Sequence, residues 1–188
     1  EGKTVLDLGC AGGFMAEALA RKGAHVSGID PAQDAVKAAI SHAKTSNLDI
    51  TYDVGVGERM PYADDTFDIV VCVDVLEHVR VLSEVLAEVA RVLKPGGLFL
   101  YDTINRNPFA RLATITFAED ILRLLPKRTH DPAMFIKPAE LRAAIANAGL
   151  SNGPQTGLGP RGMNSRFDIT FGPLPFKTVL YIGMAHLP

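Results

Sequence analysis

The sequence has no tryptophan, only two cysteines among 188 residues, and no uninterrupted apolar stretch long enough to cross a bilayer. Each shortage excludes a class. Cys10 and Cys72 are too few for the disulfide framework of a small secreted domain, and no signal peptide precedes the first strand, so a reducing cytosol is expected. A membrane span needs roughly 20 consecutive apolar residues, so any membrane contact is expected to be peripheral. Charge of one sign is lacking too: 19 Lys and Arg against 21 Asp and Glu leave a net charge of -2. Without a basic footprint, nucleic acid is not expected as a partner. The phosphate-binding Gly-Lys-Ser/Thr signature is also absent.

What is present is ordinary for one globular domain spanning residues 1–188, with 47% apolar and 21% charged residues. The pattern alternates strand and helix. Thr4–Gly9, His25–Asp30, Ile50–Val54, Phe67–Val73 and Leu98–Thr103 read as strands, several of them continuously apolar as in a sheet covered on both faces. Phe14–Lys22, the stretch from Pro31 to about Lys44, and Leu82–Leu93 have helical spacing, with Gly23 and Lys94-Pro95-Gly96-Gly97 as stops. This predicts an α/β fold, Rossmann-like and doubly wound, with a mostly parallel sheet. A helical insertion is expected after strand five, over about residues 105–138, followed by a helix over Ala139–Ala148. Ser151–Pro160 reads as a loop. Arg166–Phe171 and Thr178–Met184 read as two strands forming a C-terminal antiparallel hairpin at the sheet edge.

Ligands of open parallel sheets bind beyond the carboxyl ends of the strands, where strand order reverses. Gly9, Gly12 and Gly13 follow the first strand, and Asp30 ends the second about 20 residues later, where a carboxylate can accept ribose hydroxyls. Gly57-Glu58 follows the third strand; Val73-Asp74 ends the fourth. The loop reads G-x-x-G-G rather than the G-x-G-x-x-G of dinucleotide folds, which disfavours a nicotinamide dehydrogenase. Asp7, just ahead of it, would repel a pyrophosphate but suits a cationic sulfonium carrying an amino-acid tail.

These residues resemble the motifs of class I methyltransferases that use S-adenosylmethionine (SAM): VLDLGCAGG, GIDP, FDIVVCVDVLEHV and LKPGGLFL. The resemblance implies Asp7 and Gly9 near the methionine moiety, with Gly12 in the same loop. It puts Asp30 and Pro31 at the ribose, Gly57 and Glu58 near the adenine, and the Val73 backbone beside the cofactor.

Asp74, Glu77 and His78 stand at i, i+3 and i+4, so a helical turn would bring them to one side. Carboxylate and imidazole suit a divalent ion such as Mg²⁺, which could hold a phenol oxygen and lower its pKa. Alternatively His78 acts as a metal-free general base, with Glu77 at its side, or Glu77 and His78 merely cap the loop.

The stretch after strand five is similar to a narrower group, the ubiquinone-biosynthesis O-methyltransferases, through TINRN, AEDILRLLPK, THD and FIKPAEL. That resemblance implies methylation of a phenolic hydroxyl on a lipid-like polyprenyl-phenol or quinol. It also implies a divalent-metal site after strand four, with Asp74 standing where the family has glutamate. Other ubiquinone-biosynthesis proteins are implied as further partners. Relatives there carry an upstream helical segment that covers SAM and supplies an arginine; nothing in this sequence, which opens at Glu1, matches it. A wheel from Ala113 gathers Thr116, Glu119, Asp120 and Arg123 on one arc and apolar residues elsewhere, followed by Lys127 and Arg128. Such a helix either packs on its own domain or lies in a bilayer interface, on the inner face of the cytoplasmic membrane. Thr129-His130-Asp131 reads as a turn, with His130 a candidate lid residue. The rival functions are a soluble small-molecule or quinone C-methyltransferase and a non-enzymatic SAM-binding module.

Overall fold

The structure, a computed structural model, describes residues 2–114, 131–165 and 169–188. Strand β1 (Thr4–Leu8) lies between β2 (His25–Asp30) and β4 (Phe67–Cys72), parallel to both. Strand β3 (Ile50–Val54) adds beside β2, and β5 (Leu93–Ile104) beside β4, again parallel. The chain therefore builds outward from β1 in one direction and then in the other. The resulting crevice lies between the carboxyl ends of β1 and β4, at Gly9 and Val73.

Alternation along β1 explains the layers. Val5 faces helix α1 (Phe14–Ala20) with Ala16, Val26 and Val71, whereas Leu6 and Leu8 join the larger core on the opposite face. That core is closed by α3 (Leu82–Val92), which buries Val85, Leu86, Val89 and Val92, and by α5 (Pro138–Asn147), which buries Leu141 and Ile145. Helix α2 (Gln33–Thr45) buries Val36, Ala39 and Ala43 at helical spacing on the α1 side, where Ala39 meets the Gly13 turn. Lys94–Gly97 does not interrupt β5. Its ladder with β4 steps from Phe67↔Leu93 to Ile69↔Leu98, so the Pro-Gly-Gly residues bulge out of a longer strand.

The C-terminal third is antiparallel as expected, but with three strands rather than two. Residues expected as a loop form β6 (Ser151–Met163), which sits between β8 (Leu180–His186) and the edge strand β7 (Ile169–Leu174). The two anticipated strands do not pair with each other; β8 pairs with β5 and β6. The glycines and prolines that read as loop have a packing reason. A Cβ on Gly157 would stand 1.8 Å from the Phe176 carbonyl oxygen, and one on Gly159 would stand 2.5 Å from a Leu174 methyl. Gly153 and Pro154 occupy a register shift between Asn152 and Gln155, where proline's missing N–H breaks no ladder bond.

After β5 a short helix, α4 (Pro108–Arg111), is capped by Asn107, whose side chain accepts the Ala110 N–H. The amphipathic segment of the insertion, with Lys127, Arg128, Thr129 and His130, lies outside the described residues. No helix among the described residues is long and apolar enough to cross a membrane.

Candidate functional site

A cavity of about 780 Å³ opens where the sheet switches direction. Five of the expected cofactor residues line it: Gly9, Asp30, Pro31, Gly57 and Glu58. Asp7, Gly12 and Val73 do not. Apolar walls that sequence reasoning missed come from Val56, Val75 and Val79. Spacing alone gave no sign of them, because they sit in loops without periodicity.

Gly9 shows why the first motif needs glycine. Its φ is 79°, and a Cβ would stand 2.1 Å from Val75 Cγ2. The backbone thus passes directly under the loop after β4. Asp30 is held from both sides: Oδ2 accepts the Ala11 N–H (3.0 Å) and Oδ1 accepts the Ala32 N–H (2.8 Å). The carboxylate is thereby fixed at the rim between the two loops. Asp7 lies below, 2% exposed, with Oδ2 lacking a hydrogen-bond partner. Burial pushes its carboxyl up to about 6, and the Asp30 charge adds to that. A buried carboxylate with one unpartnered oxygen under a glycine cradle fits a cofactor bearing positive charge.

The loop after β4 carries the remaining polar groups. Asp74 and His78 both line the cavity. Asp74 adopts φ 55°, unusual for a residue with a side chain, and its N–H donates to Asp102 Oδ1 at 2.7 Å. Glu77 turns the other way. It is 2% exposed; its Oε2 accepts the Thr103 hydroxyl proton at 2.8 Å, and its Oε1 has no partner. Burial is the main cause that raises its carboxyl above the usual range. The expected metal set is therefore not formed by Asp74, Glu77 and His78. No group of three or more His, Cys, Asp and Glu among the described residues could hold an ion. The i, i+3, i+4 spacing assumes one continuous helical turn, but Asp74 has a left-handed backbone and Glu77 is turned inward to Thr103, so only Asp74 and His78 share the cavity.

Sequence reasoning also missed Asp102 and Thr103, consecutive buried residues of β5 that grip this loop. Burial, with the nearby Asp74 and Glu77 charges, pushes the Asp102 carboxyl up to about 7 from 3.8. The sign follows directly. A carboxyl whose folded pKa is raised is protonated in the fold, and the stability it contributes is lost as pH climbs from about 4 through 7. Asp102→Asn keeps an oxygen for the Asp74 amide and removes the charge. It is expected to melt modestly above wild type at pH 5 and further above it at pH 8. The full shift corresponds to at most about 4 kcal/mol, and half of that moves the midpoint by roughly 4–8 °C. Calorimetry of both proteins without cofactor, at pH 5 and pH 8, checks this; equal midpoints at pH 8 would contradict it.

Cys10 and Cys72 are both buried and unbridged, as their reading as small core residues anticipates. Burial pushes the Cys10 thiol up to about 12, which removes any nucleophilic thiolate.

A family model described as a methyltransferase domain matches residues 6–101, which run from β1 into β5. A ubiquinone biosynthesis O-methyltransferase of Thiobacillus denitrificans is 46% identical over 158 residues, 84% of this chain and 68% of the relative. One of the same name from Coxiella burnetii is 40% identical over 90% of this chain and 73% of its own length. Among solved structures, a SAM-dependent methyltransferase from Methanosarcina mazei is similar with a TM-score of 0.74 at 20% identity, covering 100% of this chain and 93% of its own. The [4+2]-cyclase SpnF is similar at a TM-score of 0.71 and 17% identity, over 100% of this chain and 75% of its own. At such identity the likeness shows the fold alone, and the cyclase illustrates how little the fold restricts the reaction.

Proposed function

The chain belongs to the methyltransferase-domain family, among the ubiquinone biosynthesis O-methyltransferases, and on that premise we propose that it methylates a phenolic hydroxyl of a polyprenyl-quinol intermediate from SAM. The observation that carries the cofactor half is the cradle at Gly9, with Asp30 clamped at its rim and the buried carboxylate of Asp7, its Oδ2 unpartnered, beneath. When bound, SAM supplies a methyl group on a sulfonium, ready for displacement by an oxygen nucleophile.

The chain's own residues do the rest. Asp30 offers its carboxylate to the ribose hydroxyls, and Pro31 and Gly57 shape the walls on either side. Asp7 supplies negative charge below the sulfonium end. His78, on the cavity wall, removes the phenol proton so that the oxygen attacks as phenolate, and then passes the proton to water. Val75 and Val79 exclude water beside it, which keeps the phenolate reactive and the methyl group from hydrolysis. Glu77 does not touch the cavity and acts on His78 only by holding the loop through Thr103. Because Asp74, Glu77 and His78 do not converge, no step runs through a metal.

A lipid-like acceptor is supported by the apolar rim at the same end of the sheet. Phe109 of α4, Leu112 just after it, Met134, Met163 at the end of β6 and Phe176 are all exposed large hydrophobics. Asn105 and Asn107 donate to the Lys177 and Thr178 carbonyls, which brings the Phe176 turn against the start of α4. Such a rim suits a prenyl tail and a bilayer surface from which it is drawn.

The test is methyl transfer from SAM to a demethyl-ubiquinol analogue against plain catechol, with Mg²⁺ and with excess chelator. The expected result is faster turnover of the prenylated acceptor, unchanged by chelator, and flotation of the chain with anionic vesicles. Turnover of catechol alone, or C-methylated product, would overturn the acceptor assignment; loss of rate in chelator would restore a metal.

A further inference from the structure

The loop between β4 and α3 presents Asp74 and His78 to the cavity but has little regular structure to hold it. Within it, the His78 N–H donates to the Val75 carbonyl at 2.8 Å, closing one tight turn. Its leading end is gripped from β5 by Asp102 and Thr103, as described above. Its trailing end is gripped from the opposite wall of the cavity. Glu58 Oε1 accepts two backbone N–H groups, those of Arg80 at 2.9 Å and Val81 at 3.4 Å.

Glu58 belongs to the loop after β3, whose Gly55, Val56 and Gly57 line the same cavity. Helix α3 begins at Leu82 with Val81 as its N-cap, a residue with no side-chain acceptor of its own. A carboxylate brought from 22 residues earlier instead holds the two amides just ahead of the helix. Charge-assisted bonds to amides are strong, and negative charge is favoured at a helix N-terminus. One of the two carboxylate oxygens of this residue, which the motif resemblance places near the adenine, is therefore already engaged.

We infer that Glu58 is a positioning residue, a clasp that ties the cofactor-facing wall to the loop carrying His78, rather than a direct ligand of the adenine. The catalytic consequence rests on the reading of His78 as base, whereas the clasp itself does not. Fixing the two walls together sets the distance between bound cofactor and the acceptor oxygen, and a small misplacement there costs rate steeply. Glu58→Ala should then spare cofactor affinity and impair the acceptor side.

The experiment compares wild type, Glu58→Gln, Glu58→Asp and Glu58→Ala as full chains. Amide exchange at Arg80 and Val81, read by NMR, is expected to quicken about tenfold or more in the Ala variant. The Asp variant, one methylene too short, should behave likewise if Ala does not fold. Gln, which keeps an oxygen acceptor at the same reach, should restore most of the protection. SAM affinity by calorimetry is expected to stay within about threefold, while kcat/KM for the quinol analogue falls about tenfold. Unchanged exchange at Arg80 and Val81 in both Ala and Asp overturns the clasp. So does a tenfold loss of SAM affinity with kcat intact at saturating SAM, which would make Glu58 a direct ligand. If wild type fails to methylate any quinol, the functional reading falls, and the exchange and SAM-binding results still decide the clasp.

Discussion

Replacing His78 with glutamine is expected to lower kcat for methyl transfer by about 10²- to 10⁴-fold, the usual worth of a positioned general base, while SAM affinity stays within about threefold. The separation follows from position. His78 lines the cavity from the loop after β4, whereas the cofactor cradle is built from Gly9, Asp30 and Gly57 on other loops. A pH series makes the test specific. Without its base, the variant depends on acceptor molecules that ionise unaided, and a phenol does so near pH 10. The rate of the variant should therefore climb about tenfold per pH unit between 6 and 9, narrowing the gap to wild type. A deficit equal at every pH would show that the imidazole shapes the loop and does not take the proton.

Gly9→Ala carries the second large effect. A left-handed backbone with a Cβ costs about 1–2 kcal/mol, and overpacking a tight contact typically adds 1–3 kcal/mol. Both costs apply here, at φ 79° and a 2.1 Å approach to Val75. The strain can be relieved only by moving the loop after β1 or the loop that bears His78. Either movement opens the cradle, so SAM affinity should fall by about 100-fold or more and turnover should be lost. Thermal unfolding should shift downward by roughly 4–20 °C, taking about 2–4 °C for each kcal/mol. Truncating the facing side chain as well, in Gly9→Ala/Val75→Ala, should recover part of the stability, since the clash is with one methyl. Calorimetric titration of SAM into the single and double variants decides it; a single variant that binds like wild type would refute the cradle.

The sheet's parallel half was readable because two independent signals agree there. Apolar, β-branched runs such as Phe67–Cys72 mark strands covered on both faces, and helix spacing in Val85, Leu86, Val89 and Val92 marks what covers them. Strand β6 was invisible for the opposite reason. Its sequence, SNGPQTGLGPRGM, has neither alternation nor β-branched enrichment, because close backbone neighbours demand glycine and bulges admit proline. Local propensity was overridden by partners distant in sequence. The site divides in the same way. Gly9, Asp30 and Gly57 were legible because strand ends in a parallel sheet fall where ligands bind. Asp102, Thr103 and the inward turn of Glu77 were not, since they depend on contacts 26 to 28 residues apart in sequence. The metal triad did not form because a helical spacing rule was applied to a non-helical loop, where Asp74 has a left-handed backbone and Glu77 turns inward to Thr103.

One feature of the cavity reaches beyond this reaction. Every described residue lining it falls between Leu8 and Glu84, whereas the exposed apolar rim comes from Phe109 onward. On the reading proposed above, the walls that hold the donor and the apolar rim that would meet an acceptor's tail come from consecutive, non-overlapping stretches of the described chain. On that reading, changes downstream of β5 would alter the acceptor's surroundings while leaving the described walls of the donor cavity in place. Natural variation can proceed there as an exchange of suffixes on a fixed stem.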